Sequence, residues 1–379
     1  MILEKTKIYG VEGIGTKGGS LIRTDDAAEL SAGVVDGKIQ SDFDRCYPWS
    51  DITEVTDRHG NVFMKIPKFY SRITPCTGEM NGYHDPLYKL QISGLRYEGF
   101  STLFVNEFGE EIDYVLVGKY EASGDIQVYG ADNYYGEIFS KSGKPVVTGF
   151  DIDTMFMCIR SQYGDGYCSY DIWIDAIIKQ LFTVEFATTD SKSILIGKLS
   201  GTAALRTGRT DNVEQPTGGN VADGINGLLD DGAIKYRGIE NPWGNCRVFC
   251  GGIKFESTLS DSSIERFNAE IRYSHAITLP GADSSREQKI IAVDRVPRFP
   301  LLLLPMRTQS YMYGPYTFFD GSYHRSVGNE SVRYLFVGGG FGDVTNPSGS
   351  VIGGGLWNFC IGGYSASANA TCRLCYKPT

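Results

Sequence analysis

Two thiols three residues apart, in Cys372-Arg373-Leu374-Cys375, are the first residues whose type and spacing suggest chemistry. A thiol pair binds soft metals. A zinc site, however, needs further ligands, and this spacing supplies only one pair. In a strand, positions i and i+3 point to opposite faces. Cys360 would have to approach one of the two, and no histidine lies nearby in sequence. Buried free thiols are the expected state, with no metal and no cofactor.

Other catalytic patterns are weaker still. His59, His84, His275 and His324 are widely separated and form no His-Glu-x-x-His motif. His59 belongs to Asp57-Arg58-His59-Gly60-Asn61, a turn by composition. The glycine-rich stretches lack the Lys-Ser/Thr ending of a phosphate loop. Glu185 and Glu240 are expected to be partly buried and paired with Arg237 or Arg373, because an unpaired buried carboxylate is costly. No catalytic residue is assigned.

The carboxyl end offers binding rather than catalysis. Ten glycines fall in the 26 positions from Gly338 to Gly363, and aromatic residues persist among them. Short, tightly turned loops held by a sheet present side chains with little entropy to lose on binding. Tyr and Trp supply contact area together with one polar group. The candidate ligand-binding residues are Gly340, Phe341, Gly342, Asp343, Asn346, Trp357, Asn358, Cys360, Gly362, Gly363 and Tyr364, with help from Tyr311 to Phe319. Asp343 is the one carboxylate near this face and suits an amine, a sugar hydroxyl or an arginine, or else caps a turn. Calcium needs several oxygen ligands, and the ending lacks such a cluster. In a strand, Trp357 and Phe359 share one face while Asn358 and Cys360 take the other. The alternative is that Trp357 and Phe359 are core and the glycines only make turns.

These loops need a scaffold. Residues 152 to 163 have moderate helical spacing, with Ile152, Met155, Phe156 and Ile159 on one side. A clearer helix carries Tyr170, Trp173, Ile174, Ile177, Ile178, Leu181, Phe182 and Phe186, with Ser169 as a candidate cap and Asp171 and Asp175 at the positive end of the dipole. Its broad apolar face should lie against a sheet. Strands are expected at Val62 to Ile66, Ile112 to Tyr120, Arg247 to Ile253, Ala269 to Tyr273, Lys289 to Val293 and Val332 to Val337. Residues 71 to 110 read as polar loops with a small hairpin. Glycine-punctuated residues 197 to 232 read as long loops.

Composition sets the outer limits. The chain has 379 residues, of which 41% are apolar, enough for a large core. The 36 Lys and Arg against 45 Asp and Glu give a net charge of −9, a poor match for nucleic acid. The apolar run Phe299 to Met306 is too short to span a bilayer, and Met1-Ile2-Leu3-Glu4-Lys5 does not open a secretory signal. Nine cysteines cannot all pair within one molecule, and most are expected to be reduced.

The order of elements resembles phage tail-fibre and receptor-binding proteins with a C-type-lectin fold, including variable proteins of diversity-generating retroelements. The resemblance runs through Tyr47-Pro48-Trp49-Ser50-Asp51-Ile52, Ile66-Pro67-Lys68-Phe69-Tyr70 and Asp113 to Ser123. It continues through Leu181 to Thr188 and Tyr236-Arg237-Gly238-Ile239-Glu240-Asn241-Pro242-Trp243-Gly244-Asn245. The family's ending corresponds to Val337-Gly338-Gly339, Gly355-Leu356-Trp357, Ser365-Ala366-Ser367 and Cys372-Arg373-Leu374. Two departures stand out. Gly340-Phe341-Gly342-Asp343 occupies a loop where relatives carry Trp and Asn, and Cys246-Arg247-Val248-Phe249 follows the Trp-Gly-Asn turn where relatives often place a second Trp.

The resemblance implies an α+β, C-type-lectin-like (formylglycine-generating-enzyme-like) domain over 41–379 with long loop insertions. Residues 1–40 would be a β-rich attachment or oligomerisation segment. It implies a non-enzymatic protein of the virion, at a tail fibre or tail tip, made in the host cytoplasm. Its partners would be a bacterial surface protein or glycan and other tail components, as a homotrimer, with no nucleic acid and no membrane insertion. In diversified relatives, positions matching Gly340, Gly342, Asp343, Asn358, Cys360, Gly362 and Gly363 are exchangeable. Two alternatives share the fold: a structural tail protein without receptor contact, and an oxidase using Cys372 and Cys375.

Overall fold

The computed structural model describes residues 2–16, 20–80, 86–128, 134–219, 232–258, 266–271, 273, 290–291, 324–325, 332–340, 355–357, 359–362 and 369–379. Its architecture is mixed α+β with several sheets.

The helix Ile172–Phe186 is the centre of the molecule. The carboxylate of Asp171 starts it by accepting from the backbone N–H of Trp173 (3.1 Å) and Ile174 (3.0 Å), satisfying two otherwise orphaned donors. The cap is therefore Asp171 rather than Ser169, which ends the short strand Tyr167–Ser169. All 15 residues of this helix are buried, so every polar side chain on it requires an internal partner. The sequence pattern pointed to one broad apolar face against a sheet. Instead, strands Ile8–Ile14, Ala32–Val35, Pro86–Ser93 and Arg247–Thr258 all pack on the helix.

Among the described residues, three sheets have four or more strands. In the first, the order is Ile22–Asp25, Ile8–Ile14, Pro86–Ser93, Tyr70–Met80. Strands Tyr70–Met80 and Pro86–Ser93 form a long hairpin where the sequence suggested mainly loops. Tyr9 and Val11 on the strand Ile8–Ile14 share one apolar cluster with Phe43, Trp49, Trp173 and Phe182. The boundary expected at residue 40 therefore does not divide the core: the amino-terminal residues are built into it.

The second sheet is antiparallel, in the order Tyr167–Ser169, Leu374–Tyr376, Tyr114–Gly118, Val62–Pro67, Thr53–Thr56. The carboxyl-terminal strand thus lies inside the sheet, not at its edge. Its side chains alternate between faces. Leu374 enters a second apolar cluster under the helix Ile152–Tyr163, whereas Cys375 enters the cluster around Ile172–Phe186.

The third sheet runs Ile290–Ile291, Arg266–Ile271, Arg247–Thr258, Val332–Val337, Phe359–Gly362, His324–Arg325, with Ala370–Thr371 joining Arg247–Thr258 in parallel. This sheet carries the start of the glycine-dense ending.

Candidate functional site

The sheet brings the roots of both candidate loops together. Strands Val332–Val337 and Phe359–Gly362 are antiparallel, with Tyr334 opposite Gly362, Phe336 opposite Cys360 and Val337 opposite Phe359. Val337 leads into Gly338-Gly339-Gly340, all buried. Val337, three residues before Gly340, and Phe359, two residues after Trp357, therefore lie side by side in one sheet.

A buried polar network fixes that point. The carbonyl of Gly338 accepts from Gly244 N–H at 2.8 Å. Gly244 has φ +77°, and a Cβ there would lie 2.7 Å from Lys198 N, so the turn requires glycine. On either side, Trp243 Nε1 donates to the Leu195 carbonyl (2.8 Å), and Asn245 Oδ1 accepts from Leu205 N–H (2.6 Å). Asn245 Nδ2 donates to Glu121 Oε2 at 2.5 Å, and Asn241 Nδ2 donates to the same oxygen at 3.1 Å. Glu121 Oε1 accepts from Cys246 N–H at 3.0 Å. Burial pushes the Glu121 carboxyl up to about 7, against the opposing charge of Arg373 and the asparagine bonds.

Arg373 closes the network from below. Its guanidinium is buried and donates to four main-chain carbonyls: Gly118 (2.9 Å), Lys119 (3.2 Å), Glu240 (2.8 Å) and Asn241 (2.9 Å). It forms no ion pair with the carboxylate of Glu240, which instead accepts from Gly208 N–H (2.8 Å), Thr210 N–H (2.7 Å) and Thr210 Oγ1 (2.8 Å). Burial raises the Glu240 carboxyl, opposed by those bonds. Glu185 does pair with Arg237: Nε donates to Oε2 at 3.0 Å and a second guanidinium nitrogen reaches Oε1. Tyr236 Oη (3.0 Å) and Ser41 Oγ (2.8 Å) donate to the same carboxylate.

The second loop is anchored just as firmly. Leu356 N–H donates to Ser191 Oγ at 2.7 Å. Trp357 is 1% exposed, and Lys179 Nζ lies 5.3 Å from its ring centroid. Lys179 in turn is paired with Asp175, whose carboxyl is raised by burial and accepts from Tyr170 Oη at 3.2 Å. Asp175 serves this internal pair, a role that its place near the helix start did not reveal.

The sequence-selected contact residues therefore divide. Trp357 belongs to the core. Gly340 is buried, and a Cβ there would sit 2.8 Å from Arg247 N and 3.1 Å from Asn245 O. It is a packing position, not an exchangeable surface one. The backbones of Cys360 and Gly362 lie in the strand Phe359–Gly362. Phe341, Gly342, Asp343, Asn346, Asn358, Gly363 and Tyr364 fall outside the described residues, as do Tyr311 to Phe319, His84 and His275.

The thiols of Cys372 and Cys375 are free and buried on opposite sides of the carboxyl-terminal strand. Cys372 and Cys375 enter different apolar clusters, and burial pushes both thiols up to about 12. Cys375 lies opposite Cys168 across the strand pair. Among the described residues, no group of three or more His, Cys, Asp or Glu could hold a metal ion, and no helix is long and apolar enough to cross a membrane. His59 sits in a turn closed by Asp57, whose Oδ1 accepts from His59 N–H and Asn61 N–H, both at 2.8 Å.

No protein-family model matches this chain, and no curated protein matches it significantly.

Proposed function

We propose that the protein is a non-enzymatic recognition protein with a C-type-lectin-like fold, carried on a phage tail. It would bind a bacterial surface protein or glycan through residues 341–346 and 358–364. The observation that carries this proposal is the use made of the family-like segments. Tyr236-Arg237, Glu240-Asn241, Trp243-Gly244-Asn245, Glu121 and Arg373 all serve one buried framework. That framework ends at the Gly338–Gly340 turn and at Gly355-Leu356-Trp357, the roots of the two glycine-dense loops. So much fixed polar structure beneath short loops suits a surface that must hold its shape while its side chains meet a partner.

The split of Cys372 from Cys375 and the raised pKa of both weigh against the oxidase reading, because a reactive thiol needs thiolate character and access. Attachment to other tail components and assembly as a trimer belong to the same proposal, and multivalency would strengthen modest single-site affinity.

The experiment is adsorption of the purified chain to a panel of bacterial envelopes. Saturable binding that Asp343→Ala and Asn346→Ala reduce at least tenfold, with folding unchanged, supports receptor recognition. Binding only to other tail proteins would favour the structural alternative. Retention of full binding in the double variant would sink the loop assignment.

A further inference from the structure

Cys168 and Cys375 are direct partners across the antiparallel strands Tyr167–Ser169 and Leu374–Tyr376. Both are free thiols. The hydrogen bonds from Tyr170 N–H to the Arg373 carbonyl (2.9 Å) and from Lys377 N–H to the Gly166 carbonyl (2.8 Å) flank them. The alternation of an antiparallel ladder then makes Cys168 and Cys375 a hydrogen-bonded pair, for which Cα atoms lie about 5.5 Å apart with both side chains on one face. That Cα spacing falls within the roughly 4.4–6.8 Å that a disulfide bridges, while the Cβ atoms of such a pair, about 5.5 Å apart, must close by about 1 Å to form it. Access is one-sided. Cys375 is fully buried, whereas Cys168 is half-buried and lines a cleft with Glu107, Arg160, Asp171, Tyr273 and Lys377.

We propose that Cys168 and Cys375 form a site of oxidative cross-linking that ties the carboxyl-terminal strand to the strand preceding the helix Ile172–Phe186. The oxidant is a small-molecule disulfide. Cys168, the less buried residue of the two, loses its proton and attacks the oxidant, releasing one small thiol and forming a mixed disulfide. Cys375 then loses its proton, attacks the Cys168 sulfur and expels the second small thiol. Two S–H bonds are broken and one S–S bond joins the protein's sulfurs. The two electrons and two protons leave with the two thiols released. Burial holds both thiols protonated at neutral pH, so the reaction is slow. The cross-link closes a loop of more than half the chain, which constrains the unfolded state strongly. It would secure the strand that also holds Arg373 in place. Cys158 and Cys372 form the comparison: they share the second apolar cluster but are both fully buried.

The test is incubation of the full chain with oxidised glutathione at pH 8.5, followed by alkylation of remaining thiols, non-reducing peptide mapping and thermal melting. The expected result is a linked peptide pair containing Cys168 and Cys375, loss of the mass of two hydrogens, and a melting temperature raised by about 5 °C or more. Dithiothreitol should reverse all three, and Cys168→Ser should abolish them while leaving the reduced melting temperature nearly unchanged. Peptide mapping of the unsubstituted chain decides the matter even if a variant folds poorly. A glutathione adduct that persists on Cys168, a link from Cys375 to Cys250, or no thiol consumed at all would each overturn the proposal.

Discussion

Asn245 donates from Nδ2 to Oε2 of Glu121 at 2.5 Å, with both side chains wholly buried. Their positions are 124 apart in the chain. This one bond joins the turn Trp243-Gly244-Asn245 to the segment that follows the strand Tyr114–Gly118. Through the Gly244–Gly338 hydrogen bond it reaches the root of the carboxyl-terminal loops. A buried carboxylate with only neutral donors in direct contact is tolerable because Asn241, Asn245 and Cys246 N–H meet its oxygens and the charge of Arg373 is close.

Stability should carry the signature of that carboxyl. Its folded pKa is raised from 4.5 to about 7, so the folded chain keeps a proton that the unfolded chain has released. The contribution is fully present below about pH 4.5 and is lost as pH rises through 7. The difference amounts to about 3 kcal/mol. Urea denaturation at pH 5 and pH 8 of the wild type and of Glu121→Gln checks this. The wild type should lose more stability across that range than the variant, and equal losses would show that Glu121 is not the group responsible.

Arg373→Met should remove a charged donor from four main-chain carbonyl groups, of which that of Lys119 keeps Glu240 N–H at 2.8 Å. The expected cost is about 3–5 kcal/mol, since removing one side of a buried charged network leaves the other side desolvated and unmet. A lowered urea midpoint with an unchanged slope would be the measured form. A cost below about 1 kcal/mol would mean that water replaces the guanidinium.

What the sequence disclosed followed from local pattern. The helix Ile172–Phe186 announced itself through apolar spacing, and the strands Val62–Pro67 and Val332–Val337 through β-branched and aromatic runs. Only a small hairpin within residues 71 to 110 was legible, and the length of the pair Tyr70–Met80 and Pro86–Ser93 was not, because Arg72, Thr74, Lys89 and Gln91 read as loop. Its strand character comes from the distant partner Ile8–Ile14, and propensity yields to such pairing. Asp175 read only as a dipole-favouring residue at the helix start, yet burial of every face makes it an internal ion pair with Lys179. Glu121 was hidden for the same reason: nothing near it in sequence names Asn241 or Asn245 as its donors. The Glu185–Arg237 pairing was legible, because both residues sit in segments whose polar groups would otherwise be stranded in a core.

Glu185→Ala should be among the most damaging single changes. It would leave Arg237 buried beside Tyr236 and Ser41, with Asp44 as the remaining carboxylate at 2.6 Å. Removing one member of a buried ion pair costs about 3–5 kcal/mol. Because Ser41 and Asp44 lie outside the helix, the loss should also loosen the amino-terminal part, read as faster amide exchange in the strand Lys38–Ser41. Unchanged exchange there would mean that this strand is held by its pairing with Ala32–Val35 alone.

The division between support and contact can be tested at two nearby positions. At Gly340, any side chain begins with a Cβ 2.8 Å from Arg247 N and 3.1 Å from Asn245 O, both main-chain atoms that cannot swing aside. Gly340→Ser should therefore destabilise the chain by about 2 kcal/mol or more through backbone displacement, lowering its melting temperature. Any receptor binding should fall with the folded fraction, not ahead of it. If Asp343 acts as the proposed contact residue, Asp343→Ala should do the reverse, leaving the melting temperature within about 1 °C of wild type while binding weakens, because a side chain that serves a partner contributes little to stability. Melting and envelope adsorption measured on the same preparations separate the two. If Gly340→Ser melts like wild type, the close approach to Arg247 is wrong. If Asp343→Ala lowers the melting temperature by several degrees, its carboxylate is part of the framework and the contact surface must lie elsewhere in the loops.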